Sequence, residues 1–150
     1  MAVFQYVKDL NGVHNPLIAD TVGTTAIKAG DALIIGTSQE VLIPATAATD
    51  RISGVALVAG AIGATAIYAP SSDSAIFTVI TVATAYTDAT HRYTTCDLAG
   101  FTSGAMTITP GADTNHQVLL LGLVEGETDA EVGNKVYCKI YLRDGLNDNA

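Results

Sequence analysis

Residues 26–82 decide the fold of this chain, and they read AIKAGDALIIGTSQEVLIPATAATDRISGVALVAGAIGATAIYAPSSDSAIFTVITV. Apolar and small residues recur at every second position over short runs, and Gly, Pro, Asp or Ser then interrupts each run. No window shows the period of about 3.6 residues that marks an amphipathic helix. The pattern predicts consecutive short strands in an antiparallel sheet or barrel.

The rest of the chain also reads as short strands, so we predict an all-β fold, an antiparallel β-barrel or a sandwich. Ala75 to Ala83, rich in β-branched residues, is the most strand-like segment. Residues 118–124 form a continuous apolar run, which is typical of a strand buried on both faces. Residues 135–143 alternate, with Val136 and Cys138 on the apolar face.

At most one or two single-turn helices are expected beside the strands. The polar segment 86–98 can hold one turn, with Thr87 or Asp88 as the N-cap. The four residues Thr128-Asp129-Ala130-Glu131 fit a capping box, which predicts a second turn.

The length of 150 residues allows one domain, or two small β modules that share a core. Residues 1–20 are expected to form an N-terminal arm and the first strand, and residues 21–143 the β domain. Whether that domain is one unit or two modules, 21–83 and 84–143, stays open. The polar residues 144–150 are expected to form a flexible tail.

Charge is unusually scarce in this chain. Charged residues make up 15% of it, against roughly a quarter in an ordinary domain. A soluble monomer displays more charge than this, so we expect part of the surface to be covered in an assembly, such as a homo-oligomer. The net charge of −8 and the seven scattered Lys and Arg residues argue against direct binding of nucleic acid.

No targeting or membrane segment is expected. The first ten residues, MAVFQYVKDL, lack the basic start and apolar core of a secretion signal. No apolar run approaches the ~18 residues of a membrane span. These features predict synthesis and folding in a cytosol and no membrane partner.

Candidate catalytic and metal-binding residues are scattered along the sequence. Cys96 and Cys138 belong to no CxxC or metal spacing, so they are expected to be reduced and structural, although their pairing stays open. His91 and His116 each follow an aspartate by three residues, too sparse a pattern for a zinc site. The acidic segment 125–131 lacks the calcium-loop pattern. We therefore predict no enzyme, no catalytic or metal-binding residues, and no cofactor.

The order of these segments resembles that of small β-rich structural proteins of tailed-bacteriophage heads, the capsid decoration or cementing proteins. The resemblance covers roughly residues 20–143 and is compositional, without a catalytic signature. It is carried by IKAGDAL (27–33), IPAT (43–46), DRISGVALVAGAIGATAIYAP (50–70), SAIFTVIT (74–81), YTDATHRYTTCDLAG (86–100) and VLLLGL (118–123).

The resemblance implies a virion protein, a homotrimer on the outside of an icosahedral capsid that bridges major capsid subunits. In such proteins an extended N-terminal arm makes cross-subunit contacts, so Phe4, Tyr6 and Val7 are the candidate interface residues. Phe4 and Tyr6 equally suit the core of the first strand. The alternatives are a phage tail, head-completion or fibre-base β domain, or a small module that binds host glycans or surface proteins.

Overall fold

The computed structural model describes residues 4–9, 21–35, 41–71 and 75–141. Within these ranges the protein is all-β, as predicted, with twelve strands and one four-residue helix. Their bounds are β1 Gln5–Asp9, β2 Thr21–Val22, β3 Ala32–Ile35, β4 Val41–Pro44, β5 Gly54–Ala56, β6 Tyr68–Pro70, β7 Ala75–Ile80, α1 Asp88–His91, β8 Thr95–Cys96, β9 Leu98–Gly100, β10 Thr107–Ile108, β11 Val118–Leu123 and β12 Lys135–Ile140.

Five strands form the sheet that contains the first strand, which we call the arm sheet. Its order is β1-β7-β12-β11-β8, and every neighbouring pair is antiparallel. The predicted alternation of β12 is confirmed, because Val136, Cys138 and Ile140 are buried while Tyr137 and Lys139 are half-buried. The last predicted positions of this strand, 142 and 143, lie outside the described residues.

Strand β11 differs from its prediction. Val118 and Leu120 are buried, whereas Leu119 and Leu121 are only half-buried, so the strand is not covered on both faces. Its apolar run still pairs with a neighbour on each side, β12 and β8. A continuous apolar run therefore marks the position of this strand but not its burial.

The other five-stranded sheet, which we call the curled sheet, has the order β2-β4-β3-β5-β6. Its pairs are antiparallel except β2 with β4, which is parallel. The sheet curls until β2 meets the chain just before β6, where Thr21 and Thr65 form an antiparallel bridge. There the Val22 N–H donates to the Ala64 carbonyl at 2.8 Å.

The curled sheet is covered on both faces, because alternate residues of its strands enter two different cores. Ala32 and Val55 belong to the main core, which they share with arm-sheet residues such as Phe77 and Leu120. Their chain neighbours fill a second core inside the curl. This second core contains Val22, Ile27, Leu33, Leu42, Ala56, Ala66 and Tyr68.

The chain passes from one sheet to the other before residue 83, where the first of the two possible modules would end. Strand β7 (Ala75–Ile80) pairs with β1 and β12 in the arm sheet, so the chain leaves the curled sheet after β6. The β-branched residues of this segment predicted a strand, but they did not show which sheet the strand would join. The predicted tail, 144–150, lies outside the described residues.

One of the two expected helical turns is present. Helix α1 (Asp88–His91) follows the expected N-cap, Thr87. The second prediction was wrong: Ala130 has a φ of 62°, which a right-handed helix does not allow, and its N–H donates to the Tyr86 carbonyl. No helix in the described ranges has the length and apolar character needed to cross a membrane.

Candidate interaction surfaces

Strand β1 ends the arm sheet and carries an irregularity at Val7. Tyr6 pairs with Phe77 and Lys8 with Ile76, so Val7 is the extra residue of a β-bulge. Its side chain is 41% exposed. Within the described ranges the sheet order ends at β1, so its outer edge is free of a neighbouring strand there. Such an edge is a site at which another chain can add a strand.

The three predicted interface residues have different surroundings. Phe4 is buried in the main core, where its ring meets that of Phe77 edge-on at a centroid distance of 6.5 Å. It therefore anchors β1 to the main core, which is one of the two roles that the sequence allowed for this residue. The side chain of Tyr6 lies outside what the structure describes. Val7 is the one of the three whose described side chain faces solvent.

A second surface lies at one end of the curled sheet, formed by residues 21–26 and 57–67. We call it the neutral tip, because TVGTTA and LVAGAIGATAI contain no charged residue. The Ile27 and Gly60 backbones hydrogen bond reciprocally at 2.9 and 3.0 Å. The Gly63 N–H also donates to the Val22 carbonyl at 2.8 Å. These bonds hold the two segments side by side.

A tight turn presents the most exposed apolar side chain of the neutral tip. The Ala64 N–H donates to the Ala61 carbonyl at 3.0 Å. Gly63, the third residue of this turn, has a φ of 81°, which glycine adopts without strain. The preceding residue, Ile62, is therefore held outward and is 63% exposed, and Val58 is 45% exposed.

The histidines of the two Asp-x-x-His pairs make local contacts, but only His116 contacts the aspartate of its own pair. His91 Nδ1 accepts the Thr87 N–H at 3.0 Å, so the ring caps the start of α1. His116 Nδ1 lies 2.9 Å from Asp113 Oδ2, and the Thr95 hydroxyl donates to the same oxygen at 2.6 Å. In the described part of the chain no three His, Cys, Asp or Glu residues are grouped so as to hold a metal ion.

The two cysteines are free and buried. Strand β11 separates them, since Cys96 pairs with Val118 and Cys138 with Leu120. Two strand spacings amount to about 10 Å, whereas a disulfide needs Cα atoms within roughly 7 Å. Burial raises the pKa of Cys96 to about 12 and also raises that of Cys138. Both thiols are therefore protonated and unreactive at neutral pH.

Buried polar side chains form hydrogen bonds that join loops to strands. Gln117 accepts the Leu98 N–H at 2.8 Å and donates to the Asp50 carbonyl at 2.7 Å. Asn134 accepts the Thr81 hydroxyl at 2.8 Å and donates to the Tyr86 carbonyl at 3.0 Å. These side chains are occupied in joining loops to strands, so their role is structural.

Two carboxylates extend the same pattern. Asp31 accepts the N–H groups of Lys28 and Gly104, at 2.9 and 2.7 Å, together with the Ser103 hydroxyl. Asp97 accepts the N–H groups of Thr114 and Asn115 at 2.9 and 3.0 Å. A carboxylate that accepts two or three such donors fixes a loop, as both do here.

Comparisons of the chain with protein-family models, with curated proteins and with solved structures return no match. The surfaces of the protein are therefore the evidence for its function. The sequence pattern revealed neither the bulge at Val7 nor the neutral tip as a distinct surface. The uncharged stretch 57–67 was visible in the sequence, but only the curl brings it beside residues 21–26.

Proposed function

We propose that this protein is a structural virion protein that decorates the outside of an icosahedral bacteriophage capsid. In this proposal it binds as a homotrimer and bridges neighbouring major capsid subunits, which stabilises the mature shell. The sequence resemblance suggests the family. The structural observation that supports it is the edge of β1, where Val7 is exposed at a bulge and no strand of the described ranges pairs on the outer side.

The edge supports a docking role for a physical reason. A strand at the end of a sheet offers unpaired N–H and C=O groups, and a capsid segment can satisfy them by adding one more strand. The core contact between Phe4 and Phe77 fixes β1 to the rest of the subunit. A bound capsid segment would therefore pull on a folded body rather than on a loose arm.

The internal construction suits a bridging protein. The main core joins both sheets, and the buried carboxylate of Asp31 ties the curled sheet to the loop at Gly104. Such a body resists deformation when the shell beneath it is under pressure. Binding only the mature shell would stabilise that shell by the free energy of binding. Several copies engaged at once would add avidity.

The direct test mixes the purified protein with expanded and unexpanded capsids and measures co-sedimentation. The expected result is saturable binding to expanded shells alone, at hundreds of copies per particle. Copy numbers in small multiples of three or six would instead indicate a tail or head-completion component. Saturable binding of a sugar by the isolated protein, without shell binding, would indicate a glycan module. Either result would overturn the proposal.

The role of the β1 edge is tested by Val7→Glu, with Val82→Glu as the matched control. The two valines are 41% and 40% exposed, so both variants place one new carboxylate on a comparable surface. We expect Val7→Glu to weaken shell binding at least about tenfold, which corresponds to about 1.4 kcal/mol, and Val82→Glu to leave it unchanged. Equal binding by the two variants would remove β1 from the contact.

A further inference from the structure

We infer that the neutral tip is the surface through which copies of this chain contact one another around a rotation axis. This inference rests on the homo-oligomer in the proposed function and adds the location of its subunit contact. It assigns shell binding and self-association to two separate surfaces. The first is the β1 edge with Val7, and the second is the tip with Val58 and Ile62.

The charge distribution sets the neutral tip apart. The chain carries a net charge of −8, so two copies repel each other at most orientations. The tip contributes nothing to this repulsion, because residues 21–26 and 57–67 include no ionisable side chain. Two charged residues flank the segment 21–26 in the chain: Asp20, which lies outside the described residues, and Lys28. The Lys28 side chain lies against Gly104, with its Cδ 2.7 Å from where a Cβ on that glycine would stand.

The absence of both signs of charge favours a second copy over a different protein as the partner. Around a rotation axis each residue near the axis lies beside its own copies, so any charge there meets a like charge. A surface for a different partner has no such restriction, because acidic groups on one side can face basic groups on the other. A surface with neither sign can therefore lie beside its own copies at the axis without like-charge repulsion.

The shape of the tip also suits a contact surface. Backbone hydrogen bonds join its two segments, so little conformational freedom remains to be lost on association. Residues 58, 59 and 61–65 are exposed in succession, and all are apolar or small apart from Thr65. The turn at Gly63 places Ile62 at the outermost point, where it can fill a gap between neighbouring subunits.

Another exposed apolar side chain of the described chain provides a comparison. Val132 is 61% exposed, nearly as much as Ile62, but its loop also carries exposed Glu125, Asp129 and Glu131. Copies of that loop would repel each other across an axis. Exposure alone therefore does not distinguish the two sites, whereas their surrounding charge does.

The test compares the solution masses of Ile62→Lys, Ile62→Glu and the control Val132→Lys by native mass spectrometry and sedimentation velocity. The wild type and Val132→Lys are expected to be oligomers, and both Ile62 variants monomers of about 15.4 kDa. Ile62→Lys reduces the net negative charge, so its dissociation would not reflect greater overall repulsion. Circular dichroism spectra matching the wild type would show that the monomers are folded.

Mixing provides the second measurement. In a trimer that contains both variants, two of the three contacts at position 62 join lysine to glutamate and one joins like charges. An equimolar mixture of the two variants is therefore expected to regain part of the oligomer mass. A monomeric wild type, an oligomeric Ile62→Lys, or a mixture that stays monomeric would each overturn the inference. So would flotation of a monomeric wild type with phosphatidylcholine vesicles, which would make the tip a lipid contact.

The two proposals fail differently. If wild type binds expanded shells but Ile62→Lys keeps the wild-type mass, the tip assignment is wrong and decoration stands. If Ile62→Lys is monomeric but the wild-type oligomer does not bind expanded shells, the neutral tip is the subunit contact and the proposed capsid-decorating function is wrong.

Discussion

The buried carboxylate of Asp31 accepts the Gly104 N–H at 2.7 Å, which joins the start of β3 to a loop 73 positions away in the chain. Beside it, the Ala32 N–H donates to the Met106 sulfur at 3.2 Å. The curled sheet and the β9–β10 region are thus fastened by polar contacts as well as by the main core. This fastening can be tested directly.

Replacing Asp31 is expected to destabilise the whole fold. Asp31→Ala removes a buried carboxylate and leaves the partly buried N–H donors of Lys28 and Gly104 without their acceptor, at a cost of roughly 3 kcal/mol. Asp129→Ala is the contrast, because that exposed carboxylate accepts the single N–H of Asp88, and its loss should cost less than about 1 kcal/mol. Urea unfolding of both variants measures the difference, and equal losses would contradict this account.

Phe4→Ala is expected to cost about 3–4 kcal/mol in the free energy of unfolding, because it removes a buried ring from the main core. Val7→Ala, at the exposed bulge, should change stability by less than about 0.5 kcal/mol. Thermal unfolding gives the comparison. A Phe4→Ala variant of unchanged stability that no longer binds shells would instead make Phe4 an interface residue.

Gly54→Ala is expected to be strongly destabilising although the added group is one methyl. An added Cβ would lie 2.5 Å from the Ala69 carbonyl oxygen and 2.6 Å from Tyr68 Cδ2. Overpacking of this kind costs about 1–3 kcal/mol, and the contact with backbone places it near the top of that range. Gly126→Ala, where nothing lies within 4 Å, should show only the smaller strain of its φ of 90°.

The two thiols are expected to resist labelling by a disulfide reagent in the native protein and to react only when it unfolds. Their burial and raised pKa values keep the thiolate form scarce at neutral pH. Labelling followed across a urea titration should therefore track the unfolding transition. Rapid modification of either cysteine below that transition would contradict their placement in the core.

The free energy of unfolding should fall above pH 9 because the thiols are buried. Burial raises the pKa of Cys96 from 9.0 to about 12, so between these values the unfolded thiol loses its proton while the folded one keeps it. This favours the unfolded state by up to about 1.4 kcal/mol per pH unit, and below pH 9 the contribution is constant. Urea midpoints across this range should fall less steeply in Cys96→Ala than in the wild type.

The sequence by itself determined the class of the fold and much of its local structure. The alternation at Val136, Cys138 and Ile140, the N-cap at Thr87 and the glycine turns are short-range patterns that a strand or turn imposes on its own residues. The scarcity of charge also predicts that part of the surface is covered in an assembly, and this stays a prediction. These conclusions needed no knowledge of which strands pair.

Tertiary structure decided what covers each surface, because that depends on contacts between residues far apart in the chain. The curl hides the alternate residues Leu33 and Ala56 in a second core, so part of the charge-poor stretch is covered by its own subunit. Pairing placed β7 in the arm sheet, kept Cys96 and Cys138 on either side of β11, and buried Phe4 while exposing Val7. An alternating strand specifies two faces, but only its neighbours determine which face meets protein and which meets water.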